Sequence, residues 1–332
     1  MSKFPILLIP AIALAIGCSS AKGNKAAEAA TAAETPQAIV ATPFCADSAY
    51  AYIAKQVSFG PRVPGTQAAK ECGDWIVEKL KQFGASDIKE QTTTVTAYNG
   101  DKLPIRNISA SFRPNAPTRV LLLAHWDTRP WADSDPNPEM RNKPIDGAND
   151  GASGVGVLLE IARNIAATNP ALGIDLLFVD AEDYGQRSDS EEEASDDSWA
   201  LGTQYWAKHP TVNLNKIDHA ILLDMVGGKD AVFPREYISQ RFAAPVNDKV
   251  WEAARAAGLA ARFPNRIGGG VTDDHVYLLR EGIPAIDIIE SNHPDTGTFP
   301  PYWHTQADNL SQIDTATLAA VGHTILTHLK NK

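Results

Sequence analysis

Cysteine is scarce in this chain, with three among 332 residues. That excludes a structural zinc site built on thiolates. Beyond Cys18 only Cys45 and Cys72 remain. In an exported protein such a pair can be oxidised, so a bridge tying the first two helices and two free buried thiols both stay open, because sequence carries no distance. Basic residues are also short, 30 against 40 acidic ones for a formal charge of −10, which argues against a nucleic-acid partner. The apolar run Phe4–Gly17 is too short to span a bilayer comfortably. No internal repeat and no boundary for a second folded domain is visible.

What is present, 44% hydrophobic and 21% charged residues, fits one sizeable globular domain. Residues 1–18 read as an export signal in which Lys3 is the only charge. Ala15-Ile16-Gly17-Cys18 resembles a bacterial lipobox, which would make Cys18 the lipidated N-terminus; a plain secretory signal is the alternative. Ser19 lacks the aspartate associated with inner-membrane retention, so the expected address is the periplasmic face of the outer membrane. Residues 19–43, rich in Ala, Lys, Glu, Thr and Gln, read as a flexible tether, and 44–332 as one catalytic domain.

Within that domain the periodicity alternates. Asp47–Gln56 and Thr66–Phe83 read as helices, the second capped by Thr66 and presenting Trp75, Ile76 and Leu80 to a core. Gln91–Tyr98 and Ile105–Ser111 read as a hairpin-like pair. Val120–Ala124, Ile174–Val179, His219–Met225 and Ala285–Ile289 are apolar strands. Helices are expected after Asp150, around Tyr205 and Trp206, over Lys249–Ala257 and over Asp314–Leu329. Solid apolar strands alternating with helices predict an α/β fold, a three-layer α/β/α sandwich around a mostly parallel, mixed, twisted sheet.

In such a fold, sites form where the strands end. Val120–Ala124 runs into His125-Trp126-Asp127, and Ile174–Val179 into Asp180-Ala181-Glu182-Asp183-Tyr184-Gly185. His219–Leu223 runs into Asp224, while loops supply Thr272-Asp273-Asp274-His275 and Tyr302-Trp303-His304-Thr305. Asp146-Gly147-Ala148-Asn149-Asp150-Gly151 opens a helix and holds more acid and glycine than a cap needs. Carboxylates and imidazoles converging from separate segments are the ligand mix of zinc, whereas calcium takes oxygen alone.

These motifs together resemble the zinc-dependent exopeptidase superfamily. Within it, His125-Trp126-Asp127-Thr128-Arg129-Pro130-Trp131, Ala181-Glu182-Asp183-Tyr184-Gly185, Thr272-Asp273-Asp274-His275 and Tyr302-Trp303-His304-Thr305 are similar to the bacterial glutaminyl-peptide cyclotransferases of the animal type. The resemblance covers roughly residues 44 to 330. It implies one catalytic zinc held by Asp150, Asp183 and His304, with Glu182 as the proton-transfer residue. Asp273 is then a hydrogen-bonding acid supported by Asp224, and the substrates are peptides that begin with glutamine. Asp287 stands where the animal enzymes carry histidine. Trp303 and Trp199 are candidate apolar walls of the pocket, although Trp199 reads equally well as a core anchor.

Two other functions compete. A two-zinc aminopeptidase would use His125, Asp150, Asp183, Asp224 and His304 as ligands, with Glu182 as base. A catalytically dead binding domain would have lost a ligand or Glu182, and none is lost. The acidic run 188–197 reads as a solvated insertion that could edge the pocket or bind calcium. Trp131, Phe299, Pro300 and Pro301 are expected at the pocket mouth, His275 just behind the site, and His293 in a loop. His209, His219, His323 and His328 read as structural.

Overall fold

The computed structural model describes residues 44–168, 171–190 and 195–330. The expected signal and tether, with Cys18, and the centre of the acidic run at 191–194 lie outside the described residues. Six strands form one sheet in the order β1-β2-β4-β3-β5-β6. They are β1 (Ser86–Thr96), β2 (Lys102–Phe112), β3 (Arg119–His125), β4 (Gly173–Val179), β5 (Ile217–Leu223) and β6 (Ala285–Ile288). The β4, β3, β5 and β6 neighbours are parallel, and β1 and β2 add an antiparallel edge.

Alternation along the central strands builds two cores. Leu122, Leu176, Phe178, Ile221 and Leu223 face helices α1 (Ala46–Val57), α2 (Gln67–Gln82), α3 (Ala152–Thr168), α6 (Ala244–Ala256) and α8 (Thr315–Lys330). Leu121, Leu123, Leu177, Val179 and Leu222 face Trp206 of α4 (Leu201–Lys208) and Leu278 of α7 (Asp274–Arg280). The sheet is therefore covered on both faces, which is why β3 and β4 are buried at every position. Each fully buried Leu or Ile contributes about 1.5–3 kcal/mol. The architecture is the expected three-layer sandwich.

Local signals hold where they are strong. Thr66 caps α2 by accepting from the Ala69 amide at 3.2 Å, and Asp314 caps α8 through the amides of Ala316 and Thr317. Two expectations need correction. β1 begins at Ser86, well before Gln91, because the polar segment joins β2 through backbone pairing, across an irregularity at Asp87, without apolar alternation. Thr272–His275 is not wholly loop: Asp273 is the N-cap of α7, a helix too short to show a clear period, and α5 (Tyr237–Phe242) escaped notice for the same reason. Of the two readings left open for Cys45 and Cys72, the structure has the free thiols. Cys45 precedes α1 with its amide tied to Glu160, while Cys72 is buried in α2, where burial pushes its thiol up to about 12. Among the described residues no helix is long and apolar enough to cross a membrane.

Candidate active site

The parallel register brings the strand ends level, with His125 opposite Val179 and Leu223 opposite Ile288. His125, Asp180 and Asp224 thus emerge along one sheet edge. Immediately beyond, Ala181 and Met225 adopt left-handed backbone, φ 52° and 47°, and His304 does the same at 55°. Such residues cost about 1–3 kcal/mol each and persist where the surroundings over-determine them. Here they turn the chain sharply, so that Glu182, Asp183 and the His304 imidazole reach inward.

The glycines around Asp150 serve close approach, toward the protein's own strand ends. A Cβ on Gly151 would lie 2.6 Å from His125 Cε1, and one on Gly154 would lie 2.0 Å from the Leu223 carbonyl. Asp308 then accepts from the amides of Asn149 and Asp150 at 2.8 and 3.1 Å. Asp127 does the same for Glu182 and Asp183, both at 3.1 Å. Arg129, gripped by Asp133 through two 2.6 Å bonds, donates to the Asp183 carbonyl. The backbone that carries Asp150, Glu182 and Asp183 is therefore held by buried partners from distant segments.

Two sets of donor atoms result, and they share Asp150. Within each set, Asp150–Asp183–His304 and His125–Asp150–Asp224, the ligand atoms lie within 4.8 Å of one another. His304 Nε2 is 3.0 Å from Asp183 Oδ1 and 3.5 Å from Asp150 Oδ2. His125 Nε2 is 3.0 Å from Asp150 Oδ1 and 3.2 Å from Asp224 Oδ1. Asp150 Oδ2 and Asp183 Oδ2 are buried without a hydrogen-bond partner, so the first set offers oxygen lone pairs with nothing to receive them. This oxygen–nitrogen donor set fits zinc.

The two imidazoles are tuned in opposite directions. Burial, reinforced by the Arg129 cation, depresses His304 well below its ordinary value, which favours the neutral ligand form. Burial would also lower His125, but its bonds to Asp127, Asp150 and Asp224 outweigh that and hold it well above. Burial, with the Asp273 and Asp183 carboxylates alongside, pushes Glu182 well above the usual carboxylate range. Burial takes Asp224 up to about 7 against the opposing pull of His125.

Above these groups is a cavity of about 270 Å³. Glu182, Asp183, Asp150, Asp224, Asp273 and His304 supply its polar floor, and Trp199, Trp303, Phe299, Val271 and Ile289 its apolar walls. The Trp303 and Trp199 rings both stack with the His304 imidazole, with centroids 3.5 and 6.0 Å away. The matching family model, peptidase family M28, spans residues 107–329, which takes in this entire floor. The chain belongs to peptidase family M28.

The chain is similar to proteins named for two kinds of activity. A glutaminyl cyclase of Bacteroides thetaiotaomicron, solved bound to N-acetylhistamine, is 48% identical, with 88% of this chain and 100% of that one covered and a TM-score of 0.86. A structure from the same organism described as a leucine aminopeptidase precursor is 46% identical, covering 89% and 99%, with a TM-score of 0.84. The Bos taurus glutaminyl-peptide cyclotransferase is 25% identical over 292 residues, 78% of this chain and 74% of its own.

The structure brings Asp150, Glu182, Asp183, Trp199, Asp224, Asp273, Trp303 and His304 to one cavity, with His125 bonded to Asp150 and Asp224 outside the lining. Trp199 lines the cavity, packed against Gly185 and beneath the Arg129 guanidinium, which resolves its two readings toward the pocket. Trp131 does not line it: the indole packs on Tyr184 and Tyr98 instead. Of the expected mouth residues only Phe299 is in the lining, because Pro300 is buried and Pro301 faces a neighbouring depression. Sequence reasoning missed Asp308, Asp127 and Glu236 as holders of the site. Glu236, fully buried, accepts from the amides of Ile238, Ser239 and Val271 and lies 3.2 Å from His275 Nε2. Only the pairing of a buried acid with a glycine run, Gly268–Gly270, could have hinted at it.

Proposed function

We propose that the chain is a glutaminyl-peptide cyclotransferase with a single zinc ion, converting the N-terminal glutamine of peptides to pyroglutamate with release of ammonia. One observation carries the choice. The His125 ring is buried outside the cavity lining, 3.0 and 3.2 Å from Asp150 and Asp224, so of the two donor sets only Asp150–Asp183–His304 presents all its members to the cavity. Asp150, Asp183 and His304 open directly onto the cavity and would hold the one ion. The chemistry that zinc supplies there when bound is polarisation of the side-chain amide carbonyl.

The remaining work falls to the chain's own residues. The apolar walls suit a small neutral side chain and hold it curled, which makes the ring closure intramolecular. Glu182 takes a proton from the α-amine as the new nitrogen–carbon bond forms. It returns that proton to the amide nitrogen as the old carbon–nitrogen bond breaks and ammonia leaves. Asp273 faces the same cavity, and its charge strengthens the hold of Glu182 on the proton it carries. Asp224, tied to His125, braces the network.

A two-ion aminopeptidase is the second reading, favoured by the His125–Asp150–Asp224 donor set. Incubating the zinc-loaded protein with a Gln-initiated and a Leu-initiated peptide, followed by mass spectrometry, separates the two. Loss of one ammonia from the Gln peptide alone is expected. Release of a whole N-terminal residue would overturn the cyclase.

The address completes the proposal: a lipoprotein anchored through Cys18 at the periplasmic face of the outer membrane, supported by the lipobox-like Ala15–Cys18 and by Ser19. Metabolic labelling with a radioactive fatty acid should mark the wild type and not Cys18→Ser. Label retained in the variant would refute the anchor.

A further inference from the structure

Among the described residues three large apolar side chains are exposed: Tyr237, Phe242 and Ile267, at 48%, 64% and 57%. Single exposed apolar residues scattered over a surface need no explanation. These three are not scattered. Tyr237 and Phe242 are the two ends of α5, and Ile267 belongs to the segment that bridges to Arg235 just before it.

That segment runs into the cavity wall. The Tyr237 amide donates to the Gly269 carbonyl at 3.0 Å. A Cβ on Gly270 would sit 3.5 Å from both Cβ and Cδ1 of Tyr237, so the ring lies directly against Gly270, which with Val271, Thr272 and Asp273 lines the cavity. Tyr237 is therefore separated from the cavity by Gly270, and Ile267 lies three residues before it on the same segment. The arrangement is also held in place. Glu236 takes the amides of Ile238 and Ser239 on one segment and of Val271 on the other, which locks the exposed side chains to the wall. Elsewhere in the lining the wall is apolar too, with the Phe299 and Trp303 rings tilted against each other at 4.6 Å.

A peptide whose first side chain fills the cavity sends its following residues out past an edge of it, and the Gly270–Asp273 segment is one such edge. Resting on the cyclase reading, we propose that Tyr237 and Ile267 receive the side chain of the second or third residue of the substrate, and that they select peptides with an apolar residue there. Tyr237 is exposed, apolar and set against a residue of the cavity wall, with exposed Ile267 on the segment that bridges to Arg235, an arrangement that suits an outer subsite. A lost apolar contact of this size lowers kcat/KM by about tenfold.

The experiment compares glutamine amide, Gln-Gly-Gly amide and Gln-Phe-Leu amide with wild type, Tyr237→Ala, Tyr237→Phe and Ile267→Ser. The wild type should favour Gln-Phe-Leu amide over Gln-Gly-Gly amide, chiefly through KM. Tyr237→Ala and Ile267→Ser should erase most of that preference, and Tyr237→Phe should keep it. Equal turnover of the two peptides by the wild type, or equal losses on all three substrates in the variants, would overturn the subsite while leaving the cyclase standing. Failure of the wild type to release ammonia from any substrate would instead remove the cyclase reading, and this inference with it.

Discussion

The two ends of the sheet treat buried acid in opposite ways. At the amino end, Asp175 on β4 meets Arg119 on β3 in a two-pronged pair at 2.6 and 2.7 Å, and Ser111 also donates to it. The other guanidinium protons go to the carbonyls of Phe112, Arg113 and Ile174, so the charge is matched and the donors are occupied. At the carboxyl end, Asp150, Asp183, Asp273, Asp274 and Asp287 all carry buried oxygens without a hydrogen-bond partner. The same residue type is paired off as structure at one end of the sheet and gathers unpaired around the cavity at the other. An unpaired buried carboxylate is costly, so a fold retains several together only around something they act on.

Breaking the carboxyl end should cost activity and spare stability. Glu182→Gln is expected to slow ammonia release by about 10²–10⁴-fold with zinc content and melting temperature intact. A collapsed melting temperature would assign Glu182 to structure. His304→Ala should lose bound metal as well as turnover, read by elemental analysis of the purified protein. Chelation of the wild type should abolish turnover reversibly.

Breaking the amino end should do the reverse. Asp175→Ala leaves Arg119 buried and unmatched and should cost about 3–5 kcal/mol in a denaturant titration. The folded fraction should keep wild-type kcat. A kcat loss beyond the unfolded fraction would mean that the two ends are coupled.

The smallest effect sharpens the contrast. Glu290 is buried with no matched partner, and burial raises its carboxyl from 4.5 to about 7. Between those values the folded protein binds more protons than the unfolded chain, so this group's stabilising share is complete below 4.5 and is lost as pH rises toward 7. Glu290→Gln should therefore flatten the decline and stabilise the protein by about 1–2 kcal/mol at pH 8, an order-of-magnitude figure. Parallel melting-versus-pH curves for the two proteins would refute it.

Legibility followed range. The strands β3, β4 and β5 stood out because continuous apolar runs stop abruptly at His125, Asp180 and Asp224, and a sheet with level strand ends collects whatever follows. Asp150 was legible from its own turn, and His304 from its neighbours. Asp308, Asp127 and Glu236 were not, because each acts on backbone amides far away in the chain, 159 residues for Asp308 and Asn149. Nothing near Asp308 in sequence distinguishes it from a surface acid. Trp131 failed for the complementary reason: its place beside a reactive motif said nothing about the Tyr184 and Tyr98 rings that draw it elsewhere.

By itself, then, the sequence determined the layered α/β architecture, the edge of the sheet where the chemistry gathers and the ligand types waiting there, since these follow from periodicity and from where apolar runs end. Only the tertiary structure decided that the two donor sets share Asp150, that His125 stands between Asp150 and Asp224, and that exposed Tyr237 is set against a residue of the cavity wall. Those are distances between segments remote in the chain, and packing alone sets them.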